Sequence, residues 1–309
     1  MVMEIVKYRK LYFIFSAILI IASLFVLFAY GLKPGIDFTG GTIMELEYEE
    51  ERPSNDELRS SLEEFNLGEI YVQPTGEKGV IIRMAHIEEE VHQQILNKLR
   101  GASDMDMGGG LIAQTVTTVI EETRFDSVGP IIGTELREKT YIVVIAVLIS
   151  MIIYIALAFR RVQRPLKSWQ YGITSVIALF HDILIPLGVF AILGKYYGVE
   201  ISIPIITALL AVLGYSINNT VVVFDRIRET LLRRGEDFEQ IVNISLNQTL
   251  SRQINTSLTT LLVAGAIFFL GGATLKFFAL ALLLGIIAGT YSSIFLAGPI
   301  LVTWYKLKH

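Results

Sequence analysis

Residues Leu213 to Glu229 read LGYSINNTVVVFDRIRE, which places two adjacent amides, Asn218 and Asn219, inside an apolar run that ends in charge. A polar or ionisable residue inside a membrane segment is costly and is a functional candidate by default. An amide there can hydrogen-bond but cannot bind and release a proton as a carboxylate can. Asn219 stands six residues before Asp225, roughly 9 Å from the charged edge at about 1.5 Å per helical residue. Ala211, Tyr215 and Asn219 stack at i, i+4 spacing, and Gly214 and Asn218 stack on a neighbouring side. These sides are small and polar, so they should face protein rather than lipid.

Two further groups could do chemistry. His181-Asp182 lies in another apolar run and supplies the one plainly intramembrane carboxylate. It reads either as a hydrogen-bonded pair that stabilises a bundle or as a member of a proton relay. Arg252, Asn255, Thr256, Thr259 and Thr260 fall at i, i+3, i+4, i+7 and i+8. That spacing makes one polar helical face in an apolar run, the expected partner of Asn219. The bland alternative is an arginine that marks the boundary and snorkels, with threonines bonded to their own backbone.

Other chemistry has no visible home. The chain has no cysteine, so disulfides and thiolate metal sites are excluded, and its four histidines make no paired metal-ligand spacing. Nucleophile elbow, phosphate loop and dinucleotide fingerprint are all missing. No enzyme activity, cofactor, metal or nucleic-acid partner is expected.

The elements that must position these residues are membrane helices. Hydrophobic residues make up 52% of the 309, with a mean hydropathy of +0.55. Six apolar runs approach or exceed the roughly 20 residues that cross a bilayer. They lie near Leu11–Ala29, Tyr141–Ala158, Ile173–Leu193, Ile201–Val223, Ile254–Leu270 and Phe277–Leu301. The first reads as an uncleaved signal anchor. Lys7, Arg9, Lys10, Arg160, Arg161, Arg164, Lys167, Arg226, Arg228, Arg233, Arg234, Arg252, Lys306 and Lys308 cluster on one side, against Lys195 and Lys276 in the opposite short loops. By the positive-inside rule both termini are cytoplasmic and residues 31–140 lie outside. The chain thus divides into a tail and first span (1–30), an outer domain (31–140) and a five-helix bundle (141–309).

The outer segment carries 22 acidic and 10 basic residues, which leaves a solvated face and a docking surface both open. Strands are expected at Thr42–Tyr48, Ile70–Gln73, Val80–Met84 and Ala113–Glu121. Helices are expected from a capping box at Ser54–Glu57 to about Phe65, and over Ile87–Leu99. The order β-α-β-β-α-β is the ferredoxin-like, α+β pattern. Glu236–Leu250 is amphipathic and is expected to lie along the inner face. Gly285-x-x-x-Gly289 with Ser293 makes a small-residue packing face, within the chain or against a partner.

Gly35-Ile36-Asp37-Phe38-Thr39-Gly40-Gly41-Thr42 follows the first span, Val128-Gly129-Pro130-Ile131-Ile132-Gly133 precedes the second, and the run from Gly214 to Glu229 ends the fourth. The two glycine-marked joints suit either a structural turn or a hinge that carries motion to the outer domain. With these motifs, essentially the whole chain resembles the SecF family, of the resistance-nodulation-division superfamily. The resemblance implies pairing with SecD, giving twelve spans, and assistance to preproteins leaving SecYEG, driven by the proton gradient. It implies the cytoplasmic membrane as location and YajC or YidC as further partners. It also assigns a role to the arginine at 252 and an aspartate at 219. Asn219 departs from that pattern, through either a deliberate substitution or a natural variant, and cannot itself carry a proton. Two other readings stay open: a proton-uncoupled scaffold of the translocon, and half of a small-molecule efflux pump.

Overall fold

The structure, a computed structural model, describes residues 3–100, 119–159, 165–233 and 237–308. Its contacts divide the chain into two compact units, Met1–Lys33 with Tyr141–His309, and Pro34–Thr140.

The first unit is helical. Among the described residues, six helical segments are long and apolar enough to cross a membrane. They are built from α1 (Arg9–Tyr30), α5 (Pro130–Ala158), α6 (Ser168–Tyr197), α7 (Ile203–Arg233), α8 (Phe238–Leu270), and α9 (Ala273–Ser292) continued into α10 (Gly298–Lys308). Between α9 and α10, Ser293–Ala297 form a π-helical turn. Half of the side chains in the apolar windows of α6, α7 and the last span are buried, against few in α1 and α5. Those three therefore form the centre of the bundle. Gly285 and Gly289 let α9 approach α7, for a Cβ at Gly285 would lie 2.4 Å from both methyls of Val212. The small-residue face is thus used within the chain.

Two spans differ from the pattern read in sequence. The second begins at Pro130, eleven residues before the apolar run, because proline with its fixed φ suits the first turn of a helix. Glu236–Leu250 is no separate surface helix: from Phe238 it runs unbroken into the fifth span as α8, capped by Asp237, whose carboxylate accepts from the Glu239 amide at 3.1 Å. The other four spans begin and end within a few residues of the apolar runs, except that α7 carries on ten residues past Val223 and α10 seven past Leu301.

The second unit holds α2 (Ile36–Thr39), β1 (Gly41–Tyr48), α3 (Asn55–Leu62), β2 (Tyr71–Thr75), β3 (Gly79–Met84), α4 (Glu89–Leu99) and β4 (Ile120–Val128). The four strands form one antiparallel sheet in the order β2-β3-β1-β4. Alternation along β1 and β3 sends Met44, Leu46, Val80 and Ile82 to one face, where Leu58 and Leu62 of α3 and Ile95 of α4 cover them. The last strand lies further along than expected. Residues 113–118 of its expected span fall outside the described residues, as do Arg160, Arg161, Arg164, Arg234 and Glu236. Buried His92 ties α4 to β4, with Nδ1 3.2 Å from Glu89, Nε2 2.7 Å from Glu122, and its ring stacked on Phe125.

The capping box of α3 is present: the Glu57 amide donates to Ser54 Oγ, and the Ser54 amide donates to Glu57 Oε2. The Ser54 amide, and then its hydroxyl, hold the Glu57 carboxyl below the usual carboxylate range. A lowered folded value means that this contribution is present above the ordinary carboxylate pKa and fades as pH falls through the folded one. Ser54→Ala should weaken the first turn by about 1 kcal/mol. Hydrogen exchange on the full chain would then quicken roughly fivefold at Leu58 and its neighbours, with the β1–β3 ladder unchanged.

Candidate functional site

A polar seam runs through the centre of the bundle, built from four helices. Asp182 and His181 on α6 are fully buried. Three donors converge on the carboxylate. Ser216 of α7 and Ser292 of α9 (at 2.7 Å) donate their hydroxyls to Oδ2, and His181 Nδ1 lies 2.9 Å from Oδ1. Gly289 permits this convergence, since a Cβ there would lie 3.1 Å from Ser216 Cβ and 3.5 Å from Asp182 Oδ2.

One helical turn along α7, Asn219 is buried, and its backbone carbonyl accepts from Gln253 Nε2 of α8 at 3.0 Å. Gln253 Oε1 in turn accepts from Ser293 Oγ at 3.0 Å. Asn219 Nδ2 is buried without a hydrogen-bond partner among the described residues. Tyr215, half-buried, donates to Ser257 Oγ at 2.9 Å; Ser257 Oγ lies 2.6 Å from Thr290 Oγ1, which donates to the Ile286 carbonyl at 2.7 Å. The seam therefore links α6, α7, α8 and α9 through short hydroxyl and amide contacts, with one carboxylate and one imidazole among them. The serines sit beside the π-helical turn, a feature found often at functional sites.

The structure separates residues that share a pattern in sequence. Arg252, Asn255, Thr256 and Thr259 are exposed and Thr260 is partly so; among the described residues none of them hydrogen-bonds to Asn219. The threonine hydroxyls donate to their own helix, Thr256 to the Arg252 carbonyl at 2.9 Å, Thr259 and Thr260 to that of Thr256 at 2.8 and 3.1 Å. Within the chain, the α8 side chain bonded to Asn219 is that of Gln253, next to Arg252 in sequence. The inward side of α8 is instead Ser245, Thr249, Gln253 and Ser257, an i, i+4 row that is wholly buried. Small hydroxyls and an amide can be satisfied there by backbone and neighbours, whereas a buried guanidinium without a counter-charge would be far more costly. Asn218 is exposed and, with Gly214 and Ile217, lines an apolar groove of about 600 Å³ beside α5.

The two glycine motifs meet within the outer unit. Gly35 precedes α2, Asp37 lies in its first turn, and the Thr39 hydroxyl donates to the Gly35 carbonyl at 3.2 Å. Gly40 and Gly41 take φ of +72° and +128°, conformations open mainly to glycine. Gly40 packs on the start of α5: a Cβ on it would lie 2.9 Å from Pro130 Cα, and one on Gly133 would lie 2.7 Å from the Gly40 nitrogen. Gly129 has nothing within 4 Å of its Cβ position.

Six membrane-crossing helices, a folded domain inserted after the first, and a buried seam with ionisable groups define a polytopic membrane protein with polar chemistry inside its bundle. Residues 111–307 match the family described as protein export membrane protein SecD/SecF, C-terminal, and residues 25–51 match the SecD/SecF GG motif. The protein translocase subunit SecF of Thermobaculum terrenum is 42% identical, over 97% of this chain and 93% of the relative. That of Anaerolinea thermophila is 37% identical, over 98% and 94%. The crystal structure of SecDF, a translocon-associated membrane protein from Thermus thermophilus, is similar with a TM-score of 0.77 and 34% identity. It covers 97% of this chain, which spans only 38% of the SecDF chain. The chain belongs to the SecF family of protein translocase subunits.

Proposed function

We propose that the chain pairs with SecD in the cytoplasmic membrane and helps preproteins leave SecYEG on the outer side, using the proton gradient. Both termini then face the cytoplasm and residues 31–140 the outside. The observation that carries this reading is the exposed stripe Arg252, Asn255, Thr256 and Thr259 on a helix apolar enough to span the bilayer. Thr256 and Thr259 are satisfied by their own helix, but lipid offers the Arg252 guanidinium and the Asn255 amide no hydrogen-bond partner, which favours a second protein surface over them. SecD supplies that surface, with Arg252 held against its polar groups.

The seam around Asp182 is the proton-responsive part of this chain. Asn219 stands where the family resemblance implies an aspartate, and an amide does not titrate at biological pH. Among the described residues, Asp182 and His181 are the carboxylate and imidazole buried in the bundle. The amide also favours a second reading, a scaffold that holds the translocon together and leaves proton coupling to SecD.

Because the chain has no cysteine, single cysteines report position cleanly. Thr256→Cys should form a disulfide or a short cross-link with a cysteine in a SecD span, and Leu262→Cys, on the exposed apolar side of α8, should react with lipid-phase reagents. Cross-linking of both positions to SecD with equal yield, or of neither, would reject the stripe as the contact.

A further inference from the structure

We propose that the proton in this seam is carried by His181, at Nε2, while Asp182 remains an acceptor that orients and charge-balances the ring. This deepens the reading of the seam as proton-responsive and rests on it.

The donor count points to this division of labour. Oδ2 of Asp182 accepts from two hydroxyls and Oδ1 faces His181 Nδ1, so three groups that can donate surround the carboxylate. Hydrogen bonds to the charged form of a carboxylate favour that form. With Nδ1–H given to Asp182, the lone pair of the neutral ring sits on Nε2. Nε2 is fully buried and has no hydrogen-bond partner among the described residues. It is the basic atom left without a task.

The surroundings suit a cation on the ring. Tyr291 stacks on His181 with ring centroids 5.8 Å apart and an interplanar angle of 24°, within reach of a cation–π contact. The tyrosine is itself fixed by α1, donating to the Tyr12 carbonyl at 3.2 Å. Around the pair, α7 presents Ser216, α9 presents Ser292 and Tyr291, and α1 presents Tyr12 and Ser16; no lysine or arginine is buried among the described residues. Adding a proton to Nε2 converts a lone buried carboxylate into a neutral ion pair. No other bond forms or breaks, and release from the same nitrogen restores the starting state. Asp182, Ser216 and Ser292 act as positioning residues.

The test is spectroscopic, on the full chain in lipid. Nitrogen-15 NMR of ring-labelled histidine would follow the four imidazoles from about pH 5 to about pH 8, with His181→Gln assigning the signal. Infrared spectra of the same samples would look for a protonated carboxyl band, assigned by Asp182→Asn or, if that variant does not fold, by carbon-13 aspartate. The expected result is an Nε2 resonance that shifts from bare to protonated on acidification, with no Asp182 carboxyl band. Ser216→Ala with Ser292→Ala should move the proton, so that the band appears. A wild-type Asp182 band, or a His181 Nε2 that does not change, would overturn the proposal. A titrating His181 in a chain whose export ignores the gradient would leave this assignment standing and remove only the coupling.

Discussion

Asp182→Ala is expected to destabilise the membrane unit by about 3 kcal/mol, the largest effect of any single change in the seam. The carboxylate is fully buried, and its removal leaves the Ser216 and Ser292 hydroxyls and the His181 ring without their acceptor. It also opens a space between α6, α7 and α9 that the neighbouring side chains cannot close. Asp182→Asn keeps the shape and one acceptor oxygen, so it should cost much less and remain folded. Thermal unfolding of the purified chain in detergent would check both. Alanine and asparagine variants equally close to the unaltered chain would show that the carboxylate does not organise the bundle.

The second large effect is expected at a glycine. Gly133→Ala should cost about 2–3 kcal/mol, because the new methyl meets backbone, the Gly40 nitrogen at 2.7 Å and its Cα at 3.3 Å, which has no rotamer to yield. Position 133 lies inside α5, where alanine by itself should gain about 1 kcal/mol over glycine. A net loss therefore isolates the clash. Gly129→Ala, four residues earlier, meets nothing within 4 Å and should change stability by less than about 0.5 kcal/mol. Protease resistance of residues 34–140 in the full chain would separate the two. Equal tolerance would mean that the contact between Gly40 and the start of α5 is loose, and a freely bending joint would then be the better description.

Those glycines show what was legible and what was not. Each motif could be read as a turn or a hinge from its own composition. Their contact could not, because no local pattern says that Gly40 and Gly133, far apart in sequence, share one spot. The capping box at Ser54 was legible to the residue, since its chemistry is local. The six spans were legible as apolar runs, but not their extents: α5 starts at a proline outside its run, and α8 carries its polar inner half without a break.

The seam was half legible. His181, Asp182, Tyr215 and Asn219 stood out as polar residues in apolar runs, and all four contribute to it. Ser216, Gln253, Ser257, Thr290, Ser292 and Ser293 did not. On α8 two polar stripes lie side by side, and the one containing an arginine faces outward. The row Ser245, Thr249, Gln253, Ser257 is the one that turns inward, with a strict spacing of four and side chains that can be satisfied in a packed interior. Cost of burial, more than polarity, decides which stripe turns inward.

The most direct test of proton use at the His181–Asp182 pair is preprotein translocation into inverted vesicles that carry this chain with its SecD, with and without a proton gradient. The unaltered chain, the Asp182→Asn variant and the Asn219→Asp variant would be compared. The unaltered chain, with its amide at 219, is expected to respond to the gradient, and Asp182→Asn to drop to the rate seen without one. A full response in Asp182→Asn, or a response confined to Asn219→Asp, would contradict that expectation.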